Sequence, residues 1–380
     1  MSEDKLYDVA IIGGGLAGLS ISVLLARQGF SVILFEKEKY PFHKVCGEYI
    51  SMESRPFLTN EIGMPLDTMN VSAIRKLTVT SPSGNIISAD LGLGGFGISR
   101  YKLDEQFKEI AVNAGVIIRE NCKAEDVIFS DDFFSVKTDS GKFRSRVCCG
   151  SWGKRSNIDV KWKRPFITRN SDRYNNYVGI KYHVTGDFPE DTIALHNFKD
   201  GYCGFSGIED DKYSLCYFMK ASNLKKCGNS ISKTEQEILS ANPYLKRLFA
   251  DIIKLSEEPL AISKVSLSDK KAVENHVLML GDAAGMISPL CGNGMSMAMH
   301  SSKLAAVNIS SFLRGEISRN EMEVNYTRVR KKLFKKRVGW GKLLQYFFGK
   351  DTAMNVFVNT MKKSPFLTKK MISLTHGKPF

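Results

Sequence analysis

Hydrophobic and polar positions follow a clear order at the start of the chain. Residues 7–12 form a short apolar run of the kind found in buried strands, and residues 16–28 carry apolar side chains at helical spacing. Gly29 ends that helix, and residues 31–36 form a second apolar run that stops at an acid. The order of strand, helix and strand predicts a βαβ unit.

The rest of the chain shows mostly strand patterns, followed by helices. The expected elements are two strands in 71–91, a helix over 103–114, a strand at 116–118, a β-meander over 124–149, antiparallel strands in 176–220, a helix over 233–254, a strand at 277–280 with a long helix after it, and helices with basic faces after about residue 320. This order predicts a mixed α/β chain in which an antiparallel sheet is inserted into a βαβ-type domain.

Composition adds limits to this picture. The chain has 380 residues, of which 43% are hydrophobic and 25% charged, as is typical of soluble proteins of about two domains. No apolar run approaches the length of a transmembrane helix, and the acidic start does not resemble a signal peptide. The eight cysteines form no CxxC pair, so we expect neither a metal site nor a disulfide framework, and a reducing cytoplasmic location.

Charge is concentrated at one end of the chain. The net charge is +14, and the segment from Arg328 onward contains fourteen Lys and Arg residues but a single Asp. Trp340 and other apolar residues recur among these cations at helical spacing. Such a segment suits either a solvated helical face or an anionic membrane surface, so we expect a peripheral location on the inner face of a membrane through residues 328–380 as one alternative. Nucleic acid is not expected, because no nucleic-acid-binding motif accompanies the charge.

A dinucleotide-binding pattern lies inside the first βαβ unit. Gly13, Gly15 and Gly18 follow the first strand with GxGxxG spacing, and Glu36 ends the second strand. The glycines permit a tight turn, close approach of a pyrophosphate and close packing of helix on strand. The acid can accept the hydroxyls of an adenosine ribose. We therefore expect a Rossmann-type nucleotide site here.

A second glycine-rich pattern indicates a flavin. Gly281 and Asp282 end a predicted strand, and Pro289, Gly292 and Gly294 open the long helix that follows. An acid at this point can bond a ribityl hydroxyl, and a helix N-terminus favours the negative charge that a flavin gains on reduction.

With these residues the chain resembles the FAD-dependent family of aromatic hydroxylases, halogenases and geranylgeranyl reductases. The segment Ser99-Arg100, with Leu103-Asp104 after it, is also similar to that family, in which this arginine contacts the pyrophosphate. The residues that the resemblance assigns to FAD are Gly13, Gly15, Leu16, Ala17, Gly18, Glu36, Lys37, Arg100, Gly281, Asp282, Pro289, Gly292, Asn293 and Gly294.

The resemblance also implies how the parts are arranged. An FAD-binding domain would be assembled from residues 1–70, 99–165 and 266–320, a substrate-binding domain from 71–98 and 166–265, and a basic helical region from 321–380. The Asp-Gly pair typical of hydroxylases is replaced by Cys149-Gly150. The external electron donor is therefore left open between NAD(P)H and a ferredoxin-type carrier.

Cys46-Gly47-Glu48 resembles a segment of archaeal geranylgeranyl reductases that lies near the flavin. Reduction of an unactivated alkene needs a hydride on one carbon and a proton on the other, and a thiol or a water held by Glu48 could deliver the proton. We assign Cys46 and Glu48 to catalysis on this basis. The alternative for Cys46 is ordinary packing.

Aromatic residues in the inserted sheet suggest an apolar substrate. We assign Tyr202, Phe205 and Tyr217 to its binding, with core packing as the alternative. The chain lacks the Trp-x-Trp motif of halogenases, since its tryptophans are residues 152, 162 and 340.

We therefore expect an FAD-dependent reductase of carbon–carbon double bonds in an isoprenoid-type lipid. An FAD monooxygenase acting on an apolar or aromatic substrate is the alternative. A non-catalytic FAD-binding or electron-relay protein is the third.

Overall fold

The computed structural model describes residues 5–168, 176–288, 290, 292–347, 350–375 and 377–380. Its strands, in chain order, are β1 Leu6–Ile12, β2 Val32–Phe35, β3 Tyr49–Ser51, β4 Ser72–Thr80, β5 Ile86–Gly97, β6 Ile117–Arg119, β7 Ala124–Ser130, β8 Phe133–Thr138, β9 Gly141–Gly150, β10 Tyr177–Thr185, β11 Thr192–Phe198, β12 Gly201–Gly207, β13 Tyr213–Lys220, β14 Ile253–Lys254, β15 Leu260–Val265, β16 Val273–Glu274 and β17 Val277–Met279.

The helices connect and cover these strands. They are α1 Leu16–Ala26, α2 Arg100–Asn113, α3 Asn157–Lys161, α4 Pro165–Thr168, α5 Ala221–Lys226, α6 Ile231–Glu237, α7 Pro243–Asp251, α8 Gly294–Leu313, α9 Arg319–Phe347, α10 Asp351–Lys363 and α11 Pro365–Thr375. The expected mixed α/β fold, with a Rossmann-type sheet, an antiparallel sheet and a helical C-terminal region, is confirmed.

The first sheet carries the nucleotide-binding unit. Its order is β16-β17-β9-β1-β2-β6, with parallel pairing of β1 to β2 and β9, of β2 to β6 and of β9 to β17. The strands are buried on both faces, which explains their uninterrupted apolar runs. Helices α1 and α8 cover one face and the meander β7-β8-β9 covers the other.

The second sheet is mostly antiparallel. Its order is β14-β10-β13-β12-β11-β4-β5-β3, with β15 beside β10. One face packs against α5, α6 and α7 and is called the back face here. The opposite face, called the front face, meets the first sheet's loops and the C-terminal helices.

One expected helix differs from the structure. The helix expected over 233–254 is divided, because Asn242 caps a new helix and Pro243 occupies its first position. The segment ends in strand β14 rather than in helix. The described part of the chain has no helix long and apolar enough to cross a bilayer.

The basic C-terminal region folds back over the body. Met322 and Tyr326 of α9 are buried beside α8, and Met354 and Val358 of α10 pack on β4 and β11. Ile372 of α11 packs against Tyr49 and Leu91. Helices α10 and α11 therefore close part of the front face of the second sheet, while α9 covers α8.

Candidate functional site

The first glycine turn has the geometry of a phosphate cradle. Gly13 has φ +102°, a conformation that L side chains rarely adopt, and a side chain at Gly18 would collide with the carbonyl of Gly13. Helix α1 therefore begins directly against β1. Above Gly15 the space is open, since an added Cβ would meet only the guanidinium of Arg100, at 3.8 Å. Leu16 and Ala17 form the first turn of α1, where backbone N–H groups are free to bind an anion.

The adenosine end is marked by Glu36. Its carboxylate is buried at the end of β2 and accepts a hydrogen bond from the Gly14 N–H at 2.8 Å. Lys37 follows it, with an exposed side chain paired to Glu38. Tyr40 donates its hydroxyl proton to the Gly14 carbonyl, and burial raises its pKa, with Glu36 adding to the rise.

Arg100 lies where a pyrophosphate would need a cation. Its Nε and Nη2 donate to the two carboxylate oxygens of Asp104, each at 2.7 Å, and Lys44 donates to the same carboxylate at 2.9 Å. Burial alone would raise the pKa of Asp104, but Arg100 and Lys44 outweigh it and hold that pKa below its ordinary value. An ionised Asp104 therefore fixes the guanidinium beside the Gly15 turn.

The second glycine-rich motif lies against the first. An added Cβ at Gly281 would meet Ala17 of α1 and Ala298 of α8, each at 3.3 Å, so the two motifs share one packed junction. Asp282 follows at the carboxyl end of β17, and Lys270 donates to its carbonyl at 3.0 Å. Burial lowers the pKa of Lys270 to about 8.

The helix α8 opens beside the Cys46 loop. Asn293 is fully buried immediately before Gly294, the first residue of α8, and Gly292 faces the ring of Tyr49. Pro289 and Cys291, which belong to the same predicted turn, lie outside the described residues.

The sequence reasoning did not assign a C-terminal residue to the site, but α9 supplies Arg330. Tyr326, one helical turn earlier, donates its hydroxyl proton to the Met279 carbonyl at 2.7 Å and so fixes α9 on the end of β17. Arg330 then lines a small cleft with Asp282, Gly285 and Gly294, and its Nε is buried without a hydrogen-bond partner. The signal in the sequence was that Arg330 follows Tyr326 by four residues, which makes the two side chains neighbours on one face of a helix.

The loop that carries Cys46 is held on the front face of the second sheet. Lys181 of β10 donates to the Lys44 carbonyl at 3.2 Å, and Lys154 donates to the Val45 carbonyl at 3.4 Å. The Cys46 Sγ lies 3.7 Å from the Met295 Sδ in the first turn of α8. Cys46 lies between α8 and the front face, and it is partly exposed.

Glu48 is the centre of a buried charged cluster. Its carboxylate is fully buried and accepts hydrogen bonds from the ammonium of Lys181, from the Arg100 N–H at 2.7 Å and from His183 Nε2 at 2.6 Å. Lys181 is also buried, and it lies two residues before His183 on β10, so both side chains point to the front face. We call Glu48, Lys181 and His183 the buried triad.

The triad changes the role that the sequence suggests for Glu48. Burial alone would raise the pKa of Glu48, but Lys181 and His183 together lower it below its ordinary value of 4.5. Glu48 is therefore an ionised acceptor, which does not suit direct donation of a proton. Groups that can donate one lie beside it, in Lys181, His183 and Cys46. Sequence reasoning missed Lys181 and His183, although their alternate spacing on a strand was visible.

Aromatic residues of the second sheet divide between its two faces. Tyr202 pairs with Phe218 across β12 and β13, and both lie on the front face, where Phe218 stacks on Tyr177 at a ring distance of 4.8 Å. Met286 and Leu290, which follow the second glycine-rich motif, pack in the same cluster. Tyr202 therefore lies on the face that meets the second glycine-rich motif.

Phe205 and Tyr217 do not share the front face with Tyr202, and their assignment to substrate binding stays a prediction. Both are buried on the back face, among the helices α5 to α7. The Tyr217 hydroxyl donates to Glu235 at 2.8 Å. Strand alternation explains this placement, because residues 202 and 205 differ by an odd number and residues 217 and 218 are adjacent. Their surroundings favour the alternative of core packing.

The residues present fit FAD. The open turn at Gly15, the fixed guanidinium of Arg100 and the buried carboxylate of Glu36 suit a pyrophosphate flanked by an adenosine ribose. Asp282 and the start of α8 lie further along the same carboxyl edge of the first sheet, where the flavin end would follow. No cluster of His, Cys, Asp and Glu among the described residues could hold a metal ion.

Comparisons with known proteins agree with this geometry. The family model of FAD dependent oxidoreductases matches residues 8–44, from β1 to the loop before Cys46. Conditioned medium factor receptor 1 of Dictyostelium discoideum is 26% identical over 351 residues, which cover 84% of this chain and 67% of that protein.

Two further comparisons concern enzymes. Digeranylgeranylglycerophospholipid reductase 2 of Methanothermobacter thermautotrophicus is 26% identical over 307 residues, covering 79% of this chain and 76% of the reductase. The solved structure of a flavin-dependent brominase superposes with a TM-score of 0.77 at 20% identity, covering 98% of this chain and 93% of the brominase. Reductases and halogenases thus share this fold and cannot be separated by similarity alone.

Proposed function

We propose that this chain, an FAD-dependent oxidoreductase by its fold and its relatives, reduces carbon–carbon double bonds of an apolar, isoprenoid-type substrate. When bound, FAD supplies a hydride for such a reaction. The observation that carries the proposal is the buried triad beside Cys46, at the start of α8.

The triad provides what alkene reduction needs from the protein. A second carbon must receive a proton, and an apolar pocket offers no bulk water to supply it. The Cys46 thiol and the His183 imidazole are the partly exposed donors, and ionised Glu48 orients the imidazole through its 2.6 Å hydrogen bond. Lys181 balances the charge of Glu48, so the carboxylate remains ionised while the other groups exchange protons.

The front face suits an apolar substrate. Tyr177, Tyr202 and Phe218 form an aromatic surface together with Leu290, while Cys216 lies in the same row of the sheet as Lys181. The electron donor is proposed to be NAD(P)H or a ferredoxin-type carrier from outside the chain.

A second candidate is an oxygen-dependent reaction, either hydroxylation or halogenation. The fold shared with a brominase favours it. In that case the buried Lys181 would act as a positive group beside the reacting oxygen or halogen species, and Cys46 would be a packing residue.

Product masses test the proposal. The FAD-loaded protein, reduced chemically, is offered an unsaturated isoprenoid lipid extract without oxygen, and then with oxygen in the presence and absence of bromide. A gain of hydrogen pairs without oxygen supports the reductase. A gain of oxygen or bromine only under air overturns it in favour of the second candidate. If every substrate is recovered unchanged while FAD remains bound, the chain is a binding or relay protein and both enzymatic proposals fail.

Matched cysteine variants then test the role of Cys46. We expect Cys46→Ser to lower the rate of alkene reduction at least tenfold with FAD still bound, because a hydroxyl is a weaker acid than a thiol. Cys122→Ser is the control, since Cys122 contacts the hydroxyl of Ser140 far from the triad. Equal rates for the two variants would leave His183 as the proton donor.

A further inference from the structure

The turn between α10 and α11 exposes apolar side chains among lysines. Phe366 is 73% exposed and Leu367 is 39% exposed, although both stand at the start of a helix whose Ile372 is buried. Large apolar side chains this exposed carry a cost in water unless something covers them. We call residues 362–370 the C-terminal turn.

The same turn is strongly basic. Lys362, Lys363, Lys369 and Lys370 are all exposed, and none of them lies within ion-pair distance of an acidic group among the described residues. The sequence has no Asp or Glu between residues 352 and 380. Two cations of α9, Arg337 and Lys342, are by contrast paired, with Glu53 and Asp269. The lysines of the C-terminal turn are therefore available to a partner.

We propose that the C-terminal turn docks the protein on an anionic lipid bilayer, with Phe366 and Leu367 inserted among the acyl chains and the four lysines at the headgroups. Complementary charge and an exposed aromatic side chain on one short segment are what an interfacial contact requires. The inference does not depend on the reaction assigned above, because it rests on surface residues outside the site.

The fold explains how such a contact would serve the protein. Met354 and Val358 on the buried side of α10 pack on the front face of the second sheet, so the C-terminal turn lies on the helices that close this face. A bilayer touching the turn would lie beside the covered front face. An apolar substrate could then pass between bilayer and sheet without crossing water.

Removal of residues 328–380 is not a clean test. Phe334, Leu344 and Met354 are buried in the body, and loss of Arg337 would leave Glu53 buried and unpaired. Point variants on the exposed turn avoid this problem. The double variant Phe366→Ser with Leu367→Ser removes the apolar contact. The variant Lys362→Gln with Lys363→Gln removes half of the charge of the four lysines.

The experiment is co-sedimentation of the FAD-loaded full chain with vesicles. Vesicles of phosphatidylcholine mixed with phosphatidylserine are compared with phosphatidylcholine alone, at low and high salt. We expect binding to the anionic vesicles only, weakened by salt, and weakened about fivefold for each lysine replaced, from about 1 kcal/mol per basic residue near such a surface. The double serine variant should also lose binding while its melting temperature is unchanged.

Two controls use matched surface residues. Ile253→Ser changes an apolar side chain that is 68% exposed at the edge of the second sheet, and Lys225→Gln with Lys226→Gln changes an exposed lysine pair on α5. Both should bind vesicles as the unchanged chain does. Equal loss in the controls and the turn variants, or no binding to either vesicle type, would overturn the proposal. Binding to a single-stranded RNA in place of vesicles would overturn it in favour of a nucleic-acid partner.

Discussion

The two faces of the antiparallel sheet both carry aromatic residues but differ in chemistry. The back face packs Phe205 and Tyr217 against helices, and its polar group Glu235 is paired with Tyr217 and Lys254. The front face sets Tyr202 and Phe218 beside Lys181 and His183, whose carboxylate partner comes from a loop of the other sheet. The front face therefore sets an ionised carboxylate between a lysine and a histidine with Cys46 nearby, whereas the back face keeps its own titratable groups, Glu235 and Lys254, under packed helices.

This difference shows what marks a site in such a sheet. Aromatic content does not, because a core needs it as much as a pocket does. A buried charged cluster beside the glycine-rich motifs is a better marker, because ionisable groups with perturbed pKa values concentrate at functional sites. Four predictions test the contrast.

The largest effect is expected for the buried triad. Glu48→Gln leaves the buried ammonium of Lys181 without its carboxylate, which should lower the free energy of unfolding by about 3–5 kcal/mol. Denaturant unfolding measures this. The double variant with Lys181→Met should lose less than the sum of the two single variants. Asp191→Asn, which breaks an exposed pair with Lys76, is the control and should cost less than about 1 kcal/mol.

The next prediction separates the two faces directly. Tyr217→Phe removes a buried hydrogen bond to Glu235 and should cost about 1.5–3 kcal/mol of unfolding free energy, with KM for the substrate unchanged. Phe218→Leu on the front face should instead raise KM about fivefold, from about 1 kcal/mol of lost aromatic contact. A raised KM in Tyr217→Phe would contradict the division of the faces.

Acid should weaken the buried triad and the Arg100–Asp104 pair. The folded-state pKa values of Glu48 and Asp104 lie below their ordinary values of 4.5 and 3.8, so their contribution to stability is fully present above those values and is lost as pH falls through the lower folded values. As each group becomes protonated in that range, the free energy of unfolding falls by up to about 1.4 kcal/mol per pH unit. Urea unfolding from pH 6 downward checks this, and Glu48→Gln should flatten the slope.

The smallest effect concerns the cofactor end of the site. Arg330→Met should weaken FAD binding about fivefold, from about 1 kcal/mol of lost charge interaction near the second glycine-rich motif. Titration of the apoprotein followed by flavin fluorescence measures it. Arg328→Met, an exposed neighbour on the same helix, should bind FAD normally. Equal affinities in both variants would place Arg330 outside the cofactor site.

Much of the fold could be predicted from local pattern. The first βαβ unit, the meander and the strand before Gly281 follow from apolar runs and glycine turns, which act over a few residues. The triad could not be assembled this way, because Glu48 and Lys181 are 133 residues apart and meet only through the packing of the two sheets. The division of Phe205 and Tyr217 from Tyr202 and Phe218 could have been predicted, since strand alternation alone places the two pairs on opposite faces.

The return of the C-terminal helices over the body has a consequence for how the protein is made. Glu53 pairs with Arg337, and Tyr49 packs against Ile372. Residues near the Cys46 loop therefore find their partners about three hundred residues later in the sequence. A chain still on the ribosome would hold the glycine turn and both sheets but would leave Glu53 unpaired. Completion of the front face therefore depends on contacts between residues far apart in the sequence, which can form only after helices α9 to α11 have been synthesised.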